Sequence, residues 1–105
     1  MTWRNAAFNH ARQTLPHECC GLLVGIDGRL RYWPCKNESQ ELDTFAIAAE
    51  DWAAAEDAGD IIAVIHSHAS APLKASEQDV ISCKRSQLPW HIIDATTGEW
   101  CLCLP

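Results

Sequence analysis

Ile61-Ile62-Ala63-Val64-Ile65-His66-Ser67-His68 is the stretch from which the rest of the chain is read. Its first five residues are apolar and largely β-branched, which predicts a buried strand over residues 61–66. Side chains alternate along a strand, so His66 and His68 share a face and their imidazoles can converge on one point. Asp79 follows beyond a loop of small residues containing Pro72, at the start of a helix that Ser76 opens. Two neutral imidazoles and one carboxylate form a three-ligand set with a fourth position left for water, the pattern of a catalytic zinc ion. His66, His68 and Asp79 are therefore the candidate metal ligands, and zinc-dependent hydrolysis is the expected chemistry.

Around this centre the pattern alternates between helices and strands. Thr2 can cap a helix to about residue 14, with Trp3, Ala7, Ala11 and Leu15 at helical spacing, and Pro16 ends it. Residues 21–26 and 29–33 read as strands joined by Asp27-Gly28, a strong hairpin turn. A polar loop over 34–42 precedes a short strand at 44–47 and a helix over 49–58, with Trp52 and Ala55 on one face and Gly59 as its cap. The helix from Ser76 should reach about residue 87, with Val80, Cys83 and Gln87 inward. Thr96-Thr97-Gly98 joins strands over 90–94 and 99–104 in a second hairpin. This order predicts an α/β fold, a mixed β-sheet flanked by helices.

Composition narrows the setting. A chain of 105 residues, 48% hydrophobic, suits one domain over 1–105 with one small core. The net charge is -6 and the eight basic residues are scattered, so no nucleic-acid footprint is expected. No apolar run is long enough for a bilayer and Met1-Thr2-Trp3-Arg4-Asn5 does not read as a signal peptide, so a cytoplasmic setting without a membrane partner is expected. In that setting Cys19, Cys20, Cys35, Cys83, Cys101 and Cys103 are expected as thiols, mostly small buried apolar residues.

Hydrolysis also needs a group to take the proton of the attacking water. Glu18, in Pro16-His17-Glu18-Cys19-Cys20-Gly21, is the candidate base, because it enters the first strand and could face the metal across the sheet. Its plainer reading is a solvated surface carboxylate. Ser76 reads either as a helix N-cap or as a hydroxyl that stabilises an oxyanion, and one serine at a helix opening onto the metal could do both. His10, His17 and His91 have no comparable setting.

His66-Ser67-His68, then Ser76 and Asp79, with Glu18 before a Gly-Leu-Leu-Val-Gly strand, resembles the JAMM (MPN-plus) metallopeptidase family. The resemblance implies a cytidine-deaminase-like α/β architecture with one Zn2+ held by His66, His68 and Asp79. It also implies Glu18 as general acid/base and Ser76 as oxyanion stabiliser, in cleavage of a peptide or isopeptide bond. Implied substrates are ubiquitin-like conjugates and extended sulfur-carrier proteins. The segment around Glu18 is similar to the JAMM half of the phage lambda-type tail-tip protein K subgroup, which adds phage tail proteins as partners. A second, NlpC-type cysteine peptidase domain usually follows in that subgroup, whereas this sequence stops at Pro105.

Ala69 stands where the family usually has proline, a change that loosens the loop but removes no ligand. The competing reading is a non-enzymatic phage tail-tip assembly module with a structural zinc, for which Cys83, one turn after Asp79, could close the shell. A zinc nucleobase deaminase would need a Pro-Cys-x-x-Cys pair, which is missing.

Overall fold

The hairpin of β1 (Cys20–Ile26) and β2 (Arg29–Cys35) turns at Asp27 and Gly28, whose φ values of 51° and 78° are the positive pair that a tight two-residue turn requires. In the computed structural model, which describes residues 2–105, β1 also pairs antiparallel with β3 (Asp60–His68). The strand β3 then runs parallel to β4 (Trp90–Asp94), and β4 pairs antiparallel with β5 (Trp100–Cys103). The result is one mixed five-stranded sheet in the order β2-β1-β3-β4-β5, with β3 at its centre. A parallel neighbour demands a crossover, and α3 (Glu77–Ser86) supplies it between β3 and β4. The other helices are α1 (Trp3–Thr14) and α2 (Ala49–Ala58).

Strand alternation divides the core between the two faces of the sheet. On one face Cys20, Leu22, Val24, Val64 and Trp90 pack with Ala55 of α2 and Cys83 of α3. On the other, Leu23, Ala63, Ile65 and Ile93 pack with Ala7 of α1, Trp3, Phe8 and Trp100. Strict alternation would put Ile61 and Val64 on opposite faces, yet both belong to the α2/α3 side. The ladder jumps from Leu23↔Ala63 to Val24↔Ile61, and this bulge leaves Ile62 over, 41% exposed. Beyond the bulge the alternation resumes, so His66 and His68 follow Val64 onto the face that α3 covers. No helix among the described residues is long and apolar enough to cross a membrane.

Two expectations need correction. Residues 44–47 form no strand but one isolated bridge, Asn37↔Ile47, because backbone pairing stops at Glu38 N–H to Ala46 O and Ala48 N–H to Lys36 O, and the Asn37 side chain takes the Ala46 N–H. The inward face of α3 is Asp79 and Cys83, whereas Val80 is 38% exposed and Gln87 is exposed. An apolar pattern points elsewhere here because the inward position is occupied by a carboxylate. Gly59 caps α2 as expected, its N–H donating to Ala55 O, with an extended φ of 178°. It is glycine for space: a Cβ there would lie 2.2 Å from the carbonyl oxygen of Gly25. Gly59→Ala is therefore expected to destabilise the fold by about 1–3 kcal/mol in chemical denaturation, with an unchanged denaturant slope.

Candidate metal centre

The pairing of β1 with β3 sets Cys20 directly opposite His66. Two residues earlier on β1's side and two later on β3, Glu18 and His68 come to the same end of the ladder and the same face. The strands stay clamped there, since Ser67 N–H donates to Cys19 O at 3.1 Å and Cys19 N–H donates to Ser67 Oγ at 2.8 Å. The third contribution is from α3. Ser76 Oγ accepts from Asp79 N–H at 3.0 Å, and Asp79 Oδ2 accepts from Ser76 N–H at 2.9 Å, a reciprocal capping box. The same box aims the Asp79 carboxylate back at the sheet.

The buried polar residues among those described are Glu18, His66, Ser67, His68 and Asp79, and all lie in this one place. One ligand atom from each of Glu18, His66 and His68 lies within 4.8 Å of the others, a group able to hold a metal ion. Asp79 spans both imidazoles, with Oδ1 at 3.3 Å from His66 Nε2 and Oδ2 at 3.2 Å from His68 Nε2. His66 Nδ1 lies 3.6 Å from Glu18 Oε1. The four side chains singled out in the sequence around one centre are thus brought together, and Ser76 stands at its rim.

The donor set fits a cation on three counts. Both ring nitrogens of His66 are buried without a hydrogen-bond partner, and such orphaned groups are costly. His68 Nδ1 lies 2.8 Å from Pro72 O, and since a carbonyl only accepts, Nδ1 carries the proton. In neutral His68 the Nε2 lone pair then faces a carboxylate oxygen, an opposition that only a proton or a metal ion relieves. Finally, two buried carboxylates call for compensating positive charge, which a divalent ion supplies in full. In the metal-free protein protons fill that role. Burial alone would lower the His66 pKa, but Asp79 and Glu18 outweigh it and leave it raised. The His68 pKa is raised chiefly by Asp79, against burial. Burial would raise the Asp79 pKa, but the two imidazoles and the Ser76 N–H hold it far below the usual carboxylate range.

Cysteine takes no part in that group. Cys83 Sγ donates to Leu88 O at 3.3 Å and Cys103 O at 3.4 Å, and burial pushes its thiol up to about 11. The candidate fourth ligand is thereby engaged elsewhere.

Sequence reading missed three supports of the centre. Pro72 fixes His68 through its carbonyl, a backbone role that no side-chain pattern announces. Phe45 stacks on His66, ring centroids 4.4 Å apart and 24° from parallel. Asn37 donates through Nδ2 to Glu18 O at 2.9 Å and Thr44 O at 3.2 Å, while its Oδ1 accepts from Ala46 N–H at 3.0 Å and Ser39 N–H at 2.9 Å. Only the Ser39 contact, a local turn of the Asn37-Glu38-Ser39 kind, had a sequence signal. Beside the centre runs a cleft of about 270 Å³, whose lining includes Glu18, Phe45, Trp52, Ser76, Asp79 and Trp90.

Several known proteins are similar to this chain in sequence or in fold. Tail tip assembly protein K of Escherichia phage N15 is 41% identical over 96 residues, 90% of this chain. The chain spans 40% of that relative's length. A Desulfitobacterium hafniense protein with a known solution structure superposes with a TM-score of 0.73 at 28% identity, over 95% of this chain and 76% of its own. A JAB1/MPN domain protein from Archaeoglobus fulgidus shares the fold with a TM-score of 0.63 at 17% identity, over 99% of this chain and 89% of its own. The family described as prokaryotic homologs of the JAB domain matches residues 2–103, and the chain belongs to it.

Proposed function

We propose that residues 1–105 act as a zinc-dependent metallopeptidase domain of JAMM type, hydrolysing a peptide or isopeptide bond. The observation that carries this reading is His66, fully buried, with both ring nitrogens unpartnered between the carboxylates of Glu18 and Asp79. In this reading His66, His68 and Asp79 hold Zn2+, which when bound supplies Lewis acidity toward water and a carbonyl oxygen. Glu18 takes the proton of the attacking water and returns it to the leaving amine. Ser76 stabilises the oxyanion: its Oγ accepts from Asp79 N–H, which leaves its own O–H free to donate toward the cleft.

Similarity to a tail tip assembly protein supports a second reading, in which the domain binds phage tail proteins and the zinc is structural. The same similarity makes a phage tail protein the leading substrate in the enzymatic reading, ahead of ubiquitin-like or sulfur-carrier proteins. A structural zinc is normally closed by four protein ligands, so an engaged Cys83 thiol favours the open, enzymatic site.

Glu18→Gln separates the readings: it is expected to keep zinc, measured by elemental analysis, and to lose cleavage detected by mass spectrometry. Undiminished turnover in that variant would remove the proton-transfer role. His68→Ala is expected to lose zinc and about 3–5 kcal/mol of stability, since it leaves the buried Asp79 carboxylate without one of its two imidazole partners. Full zinc occupancy after that change would remove His68 from the ligand set.

The raised histidine pKa values set the sign of the pH dependence. Zinc must displace their protons, so its affinity in a competition assay should fall by about tenfold per pH unit for each displaced proton as pH drops through the histidine range. Metal-free stability runs the other way. The protonated imidazoles contribute fully below about 6.5, the unfolded histidine value. That contribution is lost as pH rises through the raised folded values.

A further inference from the structure

The cleft beside the centre has a floor and walls of Phe45, Ile47, Trp52, Val64 and Trp90. At about 270 Å³ it falls just below the size of pockets that take whole drug-like ligands, roughly 300–1,000 Å³, and suits one large side chain. Its charge is one-sided: Glu18, Asp43 and Asp79 line it, and no lysine or arginine does. It opens directly onto Glu18, Ser76 and Asp79, so a side chain seated in it lies next to any bond presented there. Phe45 belongs to both regions, since one ring lines the cleft and stacks on His66.

Resting on the peptidase reading, we propose that this cleft is the specificity pocket, which selects peptides carrying an uncharged aromatic or large aliphatic residue beside the scissile bond. An acidic residue there is rejected, because it meets carboxylates and loses its water without gaining a counter-charge. Phe45 and Trp90 are the specificity-determining residues, and Ser82 and Ser86 of α3 form the polar side of the pocket.

The test is titration of the intact zinc-loaded Glu18→Gln protein with capped peptides acetyl-Gly-X-Gly-Gly-amide, X being Phe, Ala or Glu, followed by the tryptophan indole signals in NMR. The Phe peptide is expected to shift the indole signals of Trp52 and Trp90 and to bind about tenfold or more tighter than the Ala peptide, with the Glu peptide weakest. Ser82→Trp, which fills the pocket from a residue outside the catalytic group, should abolish the Phe preference while zinc content stays unchanged. It serves in place of Phe45→Ala, whose loss of the His66 stack could disturb the fold. Equal affinity for the Phe and Ala peptides, or shifts confined to Trp3 and Trp100, would overturn the proposal. A Phe preference without any cleavage by the parent protein would keep the pocket and remove the peptidase reading. Cleavage indifferent to X would do the reverse.

Discussion

The register between β1 and β3 is the constraint on which the rest depends. With Cys20 opposite His66, the carboxylate of Glu18 and the two imidazoles reach one buried point. A slip of one residue would turn His66 and His68 to the α1 face, among Leu23, Ile65 and Ile93, where nothing could satisfy their nitrogens. Hydrophobic burial and the polar cluster thus enforce the same alignment. The bulge at Ile62 is part of it, because it resets which residues of β3 face α3 just before the histidines.

The polar cluster is also an energetic liability for the fold. Two carboxylates and two imidazoles are withdrawn from water in a core whose other buried members, among the described residues, are apolar apart from Ser67. Such groups stabilise little by themselves, and their desolvation is offset only when charges balance within the cluster. In the metal-free protein that balance is made with protons, which explains why the histidines hold them more firmly than usual while Asp79 holds its own less firmly.

Much of this was legible in the sequence because it is encoded locally. The run of residues 61–65, the alternation of the two histidines, the Asp27-Gly28 turn and the Ser76/Asp79 cap each depend on near neighbours, and each has the expected geometry apart from the bulge at Ile62. The convergence of Glu18 with the histidines is a long-range matter that spacing alone could not establish. It became an expectation only through resemblance to a family. What stayed hidden has a common cause: the placement of residues 44–47 and the orientation of His68 depend in part on side-chain-to-backbone bonds from Asn37 and to Pro72, which leave no periodic trace. The inward face of α3 was misjudged for a related reason, since apolar Val80 points out and charged Asp79 points in.

The Asn37 amide joins two things that otherwise belong to different parts of the chain, the backbone of Glu18 and the segment from Thr44 to Ala46 that carries Phe45. A single planar group therefore couples the width of the groove to the stance of the acidic residue at its end. Any swing of that segment pulls on both, so the width of the cleft and the position of the Glu18 backbone are mechanically coupled.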